Sequence, residues 1–230
     1  MTAPYPAAAL EPEVTAPLIL ALPKGRILAE CGQLLTRAGV SPASDYTDEE
    51  SRRLRFPTDD PTLDVVRVRP FDVATFVAFG AAQIGICGAD VLMEFDYPEI
   101  YAPLDLGIGV CRVSVAEPAE TAGTDDPSRW SRVRVATKYP NIARRHFAAH
   151  GVHADVVHLN GAMELAPSLG LSRLIVDLVQ TGSTLRANGL VETQVISPIT
   201  SRLIVNRTAL KTQPETIGAW IARFRAALEQ

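Results

Sequence analysis

Apolar and polar positions along this chain switch repeatedly between strand and helix periods. Leu18–Leu22 is an apolar run of strand length. After the turn Pro23-Lys24-Gly25-Arg26, helical spacing puts Ile27, Leu28, Cys31, Leu34 and Leu35 on one face up to Ala38, and Gly39 stops the helix. Residues 41–62 are polar and charged, with short strands at best around Arg53–Phe56. Leu63–Val68 alternates as a strand. Arg69-Pro70-Phe71-Asp72 then opens a helix to about Phe79, with Pro70 and Asp72 suited to its first turn. Ala82–Cys87 reads as a buried strand and Gly88-Ala89-Asp90 as the start of a helix carrying Met93 and Glu94. Leu104–Val115 reads as one long β-prone segment holding two glycines, followed by a loop over 117–130. Strands are predicted at Val133–Thr137, Asp155–Leu159, Leu174–Val179, Gln194–Ser197 and Arg202–Asn206. Helices are predicted at Pro140–Ala149, from Gly161–Leu165, from Leu185 and over Thr216–Leu228.

Strands alternating with helices point to an α/β architecture with parallel sheets. There are too many units for one small sheet. The expected division is two lobes, with the chain crossing near 107–113 and 190–200. Lobe I would be discontinuous, residues 17–108 plus 194–230, and lobe II would span 109–193. The Ala- and Pro-rich residues 1–16 read as a disordered tail, with no basic region leading into an apolar core.

Composition narrows the class. The 230 residues are 47% hydrophobic and 21% charged, as in a soluble globular protein. A formal net charge of −4 argues against a nucleic-acid partner. No apolar run reaches the ~18 residues of a membrane span. Three scattered cysteines, odd in number and without C-x-x-C spacing, argue against a disulfide framework or a zinc site, and fit a reducing cytoplasm.

The chemistry concentrates at predicted strand ends, where open α/β sheets bind ligands. Asp177 lies in the strand that ends at Val179, and the segment Gln180-Thr181-Gly182-Ser183-Thr184-Leu185 follows. Hydroxyls, a glycine and free N–H groups at a helix start suit a phosphate; the same residues also suit a plain helix cap. Lys24 and Arg26 flank Gly25 at another strand end, where two cations oppose the helix dipole and so favour anion binding. Arg69 and Lys138 hold equivalent places. Asp90 reads as a helix cap or a ligand group. Glu164 reads as a capping-box acid or an acceptor for a sugar hydroxyl. Arg52 sits in a charged loop and on composition is a surface residue. His146, His150, His153 and His158 lack metal-ligand spacing, and no activated protein nucleophile is evident. The inventory suits positioning and charge neutralisation.

Several segments together resemble the ATP phosphoribosyltransferase family. They are Leu20-Ala21-Leu22-Pro23-Lys24-Gly25-Arg26-Ile27, Arg69-Pro70-x-Asp72-Val73, Gly85-Ile86-x-Gly88-x-Asp90-x-Leu92, Val135-Ala136-Thr137-Lys138-Tyr139, Gly161-Ala162-Met163-Glu164-Leu165-Ala166-Pro167, and Asp177-Leu178-Val179-x-Thr181-Gly182-x-Thr184-Leu185-x-x-Asn188-x-Leu190. Gly161-Ala162 is a mild departure from the family's Gly-Ser. The resemblance implies a two-lobed, type II periplasmic-binding-protein-like fold with its active site in the interlobe cleft. It implies transfer of phosphoribosyl from phosphoribosyl pyrophosphate to N1 of the adenine of ATP, the first step of histidine biosynthesis, with Mg2+.

Carried onto this sequence, Thr181, Gly182, Ser183 and Thr184 would hold the 5-phosphate. Asp177 would face ribose hydroxyls or the metal. Arg26 and Arg52 would be catalytic, neutralising the pyrophosphate. Lys24, Arg69, Asp90, Lys138 and Glu164 would bind substrate. The length resembles the short form, a catalytic subunit without the C-terminal regulatory domain. That form implies a homodimer and a hetero-oligomer with a histidyl-tRNA-synthetase-like regulatory subunit. The runner-up is a solute-binding module of the same architecture, and a third reading is a nucleotide-binding regulator. The phosphate-type loop, which solute-binding modules do not need, argues against the first, and the absent basic surface and DNA-binding helix pair argue against the second.

Overall fold

The computed structural model describes residues 16–48, 50–124 and 130–229. The tail expected over 1–16 therefore lies outside the described residues except for Ala16, as does part of the loop at 117–130. In chain order the strands are β1 (Leu18–Pro23), β2 (Arg55–Pro57), β3 (Leu63–Val68), β4 (Ile84–Gly88), β5 (Ile100–Asp105), β6 (Cys111–Pro118), β7 (Arg132–Thr137), β8 (His153–His158), β9 (Leu174–Val179), β10 (Leu190–Ile199) and β11 (Ser201–Asn206). The helices are α1 (Leu28–Arg37), α2 (Pro70–Ala78), α3 (Ala89–Phe95), α4 (Pro140–Ala149), α5 (Leu165–Ser168), α6 (Ser183–Ala187), α7 (Arg207–Thr212) and α8 (Pro214–Leu228).

These elements form a mixed α/β protein with two sheets. One is ordered β2-β3-β1-β4-β11-β5 and the other β10-β6-β9-β7-β8. Leu20, Leu22, Ile84 and Ile86 turn one face of the first sheet toward α1 and α8, where Leu34, Trp220 and Phe224 cover them. Ala21, Cys87 and Ile204 turn the other face toward Val73, Ala74 and Val77 of α2. The second sheet is likewise two-faced. Val113, Val135 and Val176 pack on Ile142 and Phe147 of α4, and Ala136 and Ile175 pack on Ala166 and Leu185 of α5 and α6. Helices on both faces explain why β1, β4 and β9 read as nearly continuous apolar runs.

The sheets are mixed where parallel ones were expected. β3-β1-β4 and β8-β7-β9 are parallel, but β2, β11 and β5 join the first sheet antiparallel, and β6 and β10 join the second antiparallel. Parallel pairing needs a crossover connection. β11 instead follows β10 after the single residue Thr200 and enters between β4 and β5 from the opposite direction.

The long segment expected over Leu104–Val115 is two strands in different sheets, broken at Gly107 and Gly109, whose φ values are 64° and 65°. A Cβ on Gly109 would lie 2.9 Å from Ile27 Cγ2 and 3.0 Å from Ser201 Oγ, so the crossing leaves no room for a side chain. α7 was not foreseen. It starts at Asn206, whose side chain accepts from the Ala209 N–H at 2.8 Å and donates to the carbonyl of Val77 at 2.8 Å. The three cysteines are buried and free, and burial pushes the Cys31 thiol up to about 12. No helix among the described residues is long and apolar enough to cross a membrane.

Candidate active site

The loop after β9 turns on Gly182, whose φ of 71° lies in the left-handed region. Thr181 Oγ1 and Ser183 Oγ are hydrogen-bonded at 2.9 Å, and Arg186 donates to the Thr181 carbonyl at 3.1 Å. The helix that follows begins at Ser183 rather than Leu185 and is only five residues long. A full helix dipole is therefore missing. The loop offers instead two exposed threonines, an exposed serine, and the N–H groups of Thr184 and Leu185, which have no acceptor within their own helix.

These groups line a cavity of about 190 Å3 together with Asp177, Glu164 and Arg26. Arg26 comes from the turn after β1, so the cavity is built from both sheets. Its guanidinium donates to Gln180 Oε1 at 2.5 Å. The Gln180 carbonyl accepts from Arg112 at 3.1 Å, and Arg112 is paired with both oxygens of Glu192 at 2.5 Å. Gln180 is thus held through its backbone by Arg112 while its side chain meets Arg26 from the turn after β1. An adjoining cavity of about 120 Å3 is lined by Arg26, Lys24, Asp90 and Cys111 among others.

Two of the acids that line these cavities are withdrawn from solvent, Asp90 almost fully and Asp177 in part. Asp90 is 5% exposed and accepts from the Tyr139 hydroxyl at 2.8 Å. Burial pushes its carboxyl up, opposed by the Tyr139 hydrogen bond and by Lys138. The carboxylate folds back over Gly88, where a Cβ would fall 2.0 Å from Asp90 Oδ1; the glycine makes that conformation possible. Burial also pushes the Asp177 carboxyl up, to about 6. The charges of Glu164 and Asp90 push in the same direction, while the Leu178 N–H (2.8 Å) and Lys138 oppose it. Glu164 occupies the N-cap position of α5 but makes no capping hydrogen bond, which leaves its side chain in the cavity wall.

A further cavity, of about 680 Å3, takes in Arg69, Lys138, Phe71, Glu94 and His158. Lys138 Nζ stands 4.0 Å from the centroid of the Phe71 ring, a cation–π contact. Arg52 is exposed and lines none of these three cavities. Its neighbours are committed, Arg53 to Asp45 at 2.9 Å and Arg55 to Asp64 at 2.7 Å. No hydrogen bond or ion pair holds Arg52 among the described residues. Sequence reasoning missed Glu94. It is 3% exposed and accepts from the N–H groups of Asn141 (2.9 Å) and Ile142 (3.0 Å), capping α4 from the other sheet. The signal was available: α4 opens Tyr139-Pro140, without a Ser, Thr, Asp or Asn to cap it. Among the described residues no group of three or more His, Cys, Asp or Glu could hold a metal ion.

A hydroxyl-rich loop faced by an arginine from the other sheet, with carboxylates beside it, defines a two-sheet α/β protein whose cavity suits an anionic ligand. The comparisons with known proteins identify which kind. The family described as HisG: ATP phosphoribosyltransferase matches residues 69–226. The ATP phosphoribosyltransferase of Gluconobacter oxydans is 69% identical over 212 residues, covering 92% of this chain and 88% of that protein. That of Paramagnetospirillum magneticum is 64% identical, covering 91% and 96%. Among solved structures, a chain of the ATP phosphoribosyl transferase (HisG:HisZ) complex from Thermotoga maritima superposes with a TM-score of 0.77 at 33% identity, covering 92% of this chain and 98% of that one. The chain belongs to the ATP phosphoribosyltransferase family.

Proposed function

We propose that the protein transfers the phosphoribosyl group of phosphoribosyl pyrophosphate to N1 of the adenine of ATP, releasing pyrophosphate, in the cleft between its two sheets. The observation that carries this reading is the single cavity shared by Thr181–Thr184, Asp177 and Arg26. One sheet supplies a seat for the 5-phosphate and the other a cation for the leaving group. Adenine N1 has a free lone pair, so no side chain need deprotonate the nucleophile. The barrier lies in the oxocarbenium-like ribose and the departing pyrophosphate. Preorganised cations lower it, and losing one such donor typically costs about 10²–10³ in rate.

In this reading Arg26 and Arg52 neutralise the pyrophosphate, and Asp177 accepts from the ribose hydroxyls. Lys24, Arg69, Lys138 and Glu164 line the donor and nucleotide cleft, and Asp90 holds Tyr139 behind it. The donor set fits a magnesium ion that arrives on substrate phosphates, with Asp177 as the carboxylate offered by the protein, since among the described residues no group of three or more His, Cys, Asp or Glu could cage one. When bound, the ion would add charge neutralisation on the pyrophosphate.

The sheets act as two periplasmic-binding-protein-like lobes. Lobe I is residues 17–108 with the C-terminal segment, and lobe II the residues between, with the second crossing drawn at Thr200 because β10 stays in the second sheet to Ile199. The similarity to a HisG:HisZ chain supports a short-form catalytic subunit. It would be homodimeric alone and assemble with a histidyl-tRNA-synthetase-like regulatory subunit in the cytoplasm. The test is to mix the full chain, with and without such a partner, with ATP, phosphoribosyl pyrophosphate and Mg2+. The expected outcome is a new nucleotide absorbing near the adenine band. Tight ligand binding without product in either mixture would refute transfer and favour a solute-binding module.

A further inference from the structure

β3 carries an arginine where its pattern calls for a core residue. Leu63, Val65 and Arg67 share the strand's buried face, and Arg67 is 5% exposed. A guanidinium in that place must find acceptors for its N–H groups. It finds them in one loop: it donates to the carbonyls of Tyr46 (2.7 Å), Asp48 (2.9 Å) and Ser51 (3.0 Å). Its own backbone N–H donates to the Leu54 carbonyl at 2.8 Å. Phe56 is flanked by two guanidinium groups, Arg67 at 5.3 Å and Arg53 at 5.5 Å from its ring centroid. Arg53 is in turn paired with Asp45 at 2.9 Å. The backbone is therefore pinned at the carbonyls of Tyr46, Asp48, Ser51 and Leu54 by one buried residue, and Arg53 is tied down beside it. Between those fixed points the exposed Arg52 has no hydrogen bond or ion pair among the described residues.

We infer that Arg67 is a positioning residue for the reaction: it fixes the backbone at Ser51 and Leu54, on either side of Arg52, so that Arg52 is presented, unpaired, to the pyrophosphate of the donor. This rests on the proposed role of Arg52. Arg67 touches no substrate; it acts through the three carbonyls and the backbone they belong to. A long arginine on an unrestrained loop would sample many positions, and orienting it afresh in each turnover would forfeit the gain of preorganised charge.

The test compares four full-length variants, R52A, R67M, R67K and R52A/R67M, by kcat, by KM for each substrate and by hydrogen exchange of the amides at 50–54. Methionine approximates the arginine stem and removes every donor; lysine keeps the charge but cannot reach three carbonyls at once. The expected result is a kcat for R67M at least tenfold below wild type, with KM for ATP within twofold. Exchange at 50–54 accelerates, and R67K falls between R67M and wild type. In the R52A background R67M then lowers kcat by less than twofold, because the residue it positions is already gone.

R67M with wild-type kcat despite faster exchange would overturn the positioning role while leaving Arg52 standing. So would an equal loss of kcat with and without Arg52. R52A with wild-type kcat would overturn the Arg52 reading itself. Should R67M not fold, R67K decides by the same cycle with R52A.

Discussion

The cap that Glu94 provides to α4 gives a prediction whose size follows from the structure. Glu94→Ala removes the acceptor of two backbone N–H groups, Asn141 and Ile142, the second of them buried. A buried donor left unsatisfied costs about 1–3 kcal/mol, more when the lost acceptor was charged. Asn141 is partly solvated and recovers some of this through water, so the loss is about 3 kcal/mol. For a chain of this length each kcal/mol lowers Tm by about 2–4 °C, giving a drop of about 6–12 °C. Glu94→Gln keeps one oxygen at the helix end and loses the charge, for about 1–2 kcal/mol.

The chain's two tryptophans report separately. Trp220 packs in the core of the first sheet and Trp130 against that of the second. Urea unfolding of E94A in W130F and W220F backgrounds therefore shows which sheet loosens. Because the cap joins α3 of one sheet to α4 of the other, the two transitions, coincident in the parent, should separate, with Trp130 moving first. An E94A protein within 0.5 kcal/mol of its parent, with coincident transitions, would refute the reasoning.

Asp177 gives a pH dependence. Its carboxyl titrates near 6, above the ordinary 3.8, so the native state binds the proton more tightly than the unfolded chain. Stability contributed by the protonated form is present below pH 4 and lost as pH rises through about 6. Asp177→Asn should therefore gain roughly 1–3 kcal/mol over wild type at pH 8 and little at pH 4, read from urea titrations. Donor affinity should run the other way in wild type, strengthening between pH 5 and 7, with a shallower profile in D177N; identical profiles would remove the carboxylate from the site. Gly182→Ala puts a Cβ at φ 71°, 3.1 Å from Arg186 Nη1. It should cost about 1–2 kcal/mol, lower Tm by about 2–8 °C and weaken donor binding by calorimetry. Gly85→Ala sets a methyl 2.8 Å from Val77 and 2.9 Å from Val73, and overpacking there should destabilise by about 1–3 kcal/mol in thermal unfolding.

What was legible in the sequence is what local pattern decides. α4 matches its predicted limits because Pro140 opens it and Gly151 follows it, and β9 with its loop stands out because an apolar run ends in a glycine turn. Pairing direction was not legible. β11 and β4 are more than a hundred residues apart, and nothing in either strand's apolar spacing records that they run antiparallel. The break at Gly107–Gly109 was read as strand because both flanks are β-prone; only the close approach of Ile27 and Ser201 requires the bend. At the site, Thr181–Thr184, Arg26 and Asp177 were identifiable singly, but their convergence needs both sheets. Glu94 and Arg67 escaped because their partners lie on other elements. Each nonetheless left a trace: a helix without a cap residue, and a charge on the inward face of a strand.

The place of β11 has a consequence for how the chain comes into being. Among the described residues β5 pairs only with β11, which lies roughly a hundred residues further on. At about 5–20 residues per second on the ribosome, β5 waits about 5–20 s for its neighbour. The strands of the second sheet, all of them emerging in that interval, can assemble first. The nascent first sheet meanwhile shows β4 as a bare edge, open to pairing with the wrong strand. Newly made chains are thus most exposed to aggregation, and most dependent on a chaperone, in the interval before Ser201–Asn206 leaves the exit tunnel.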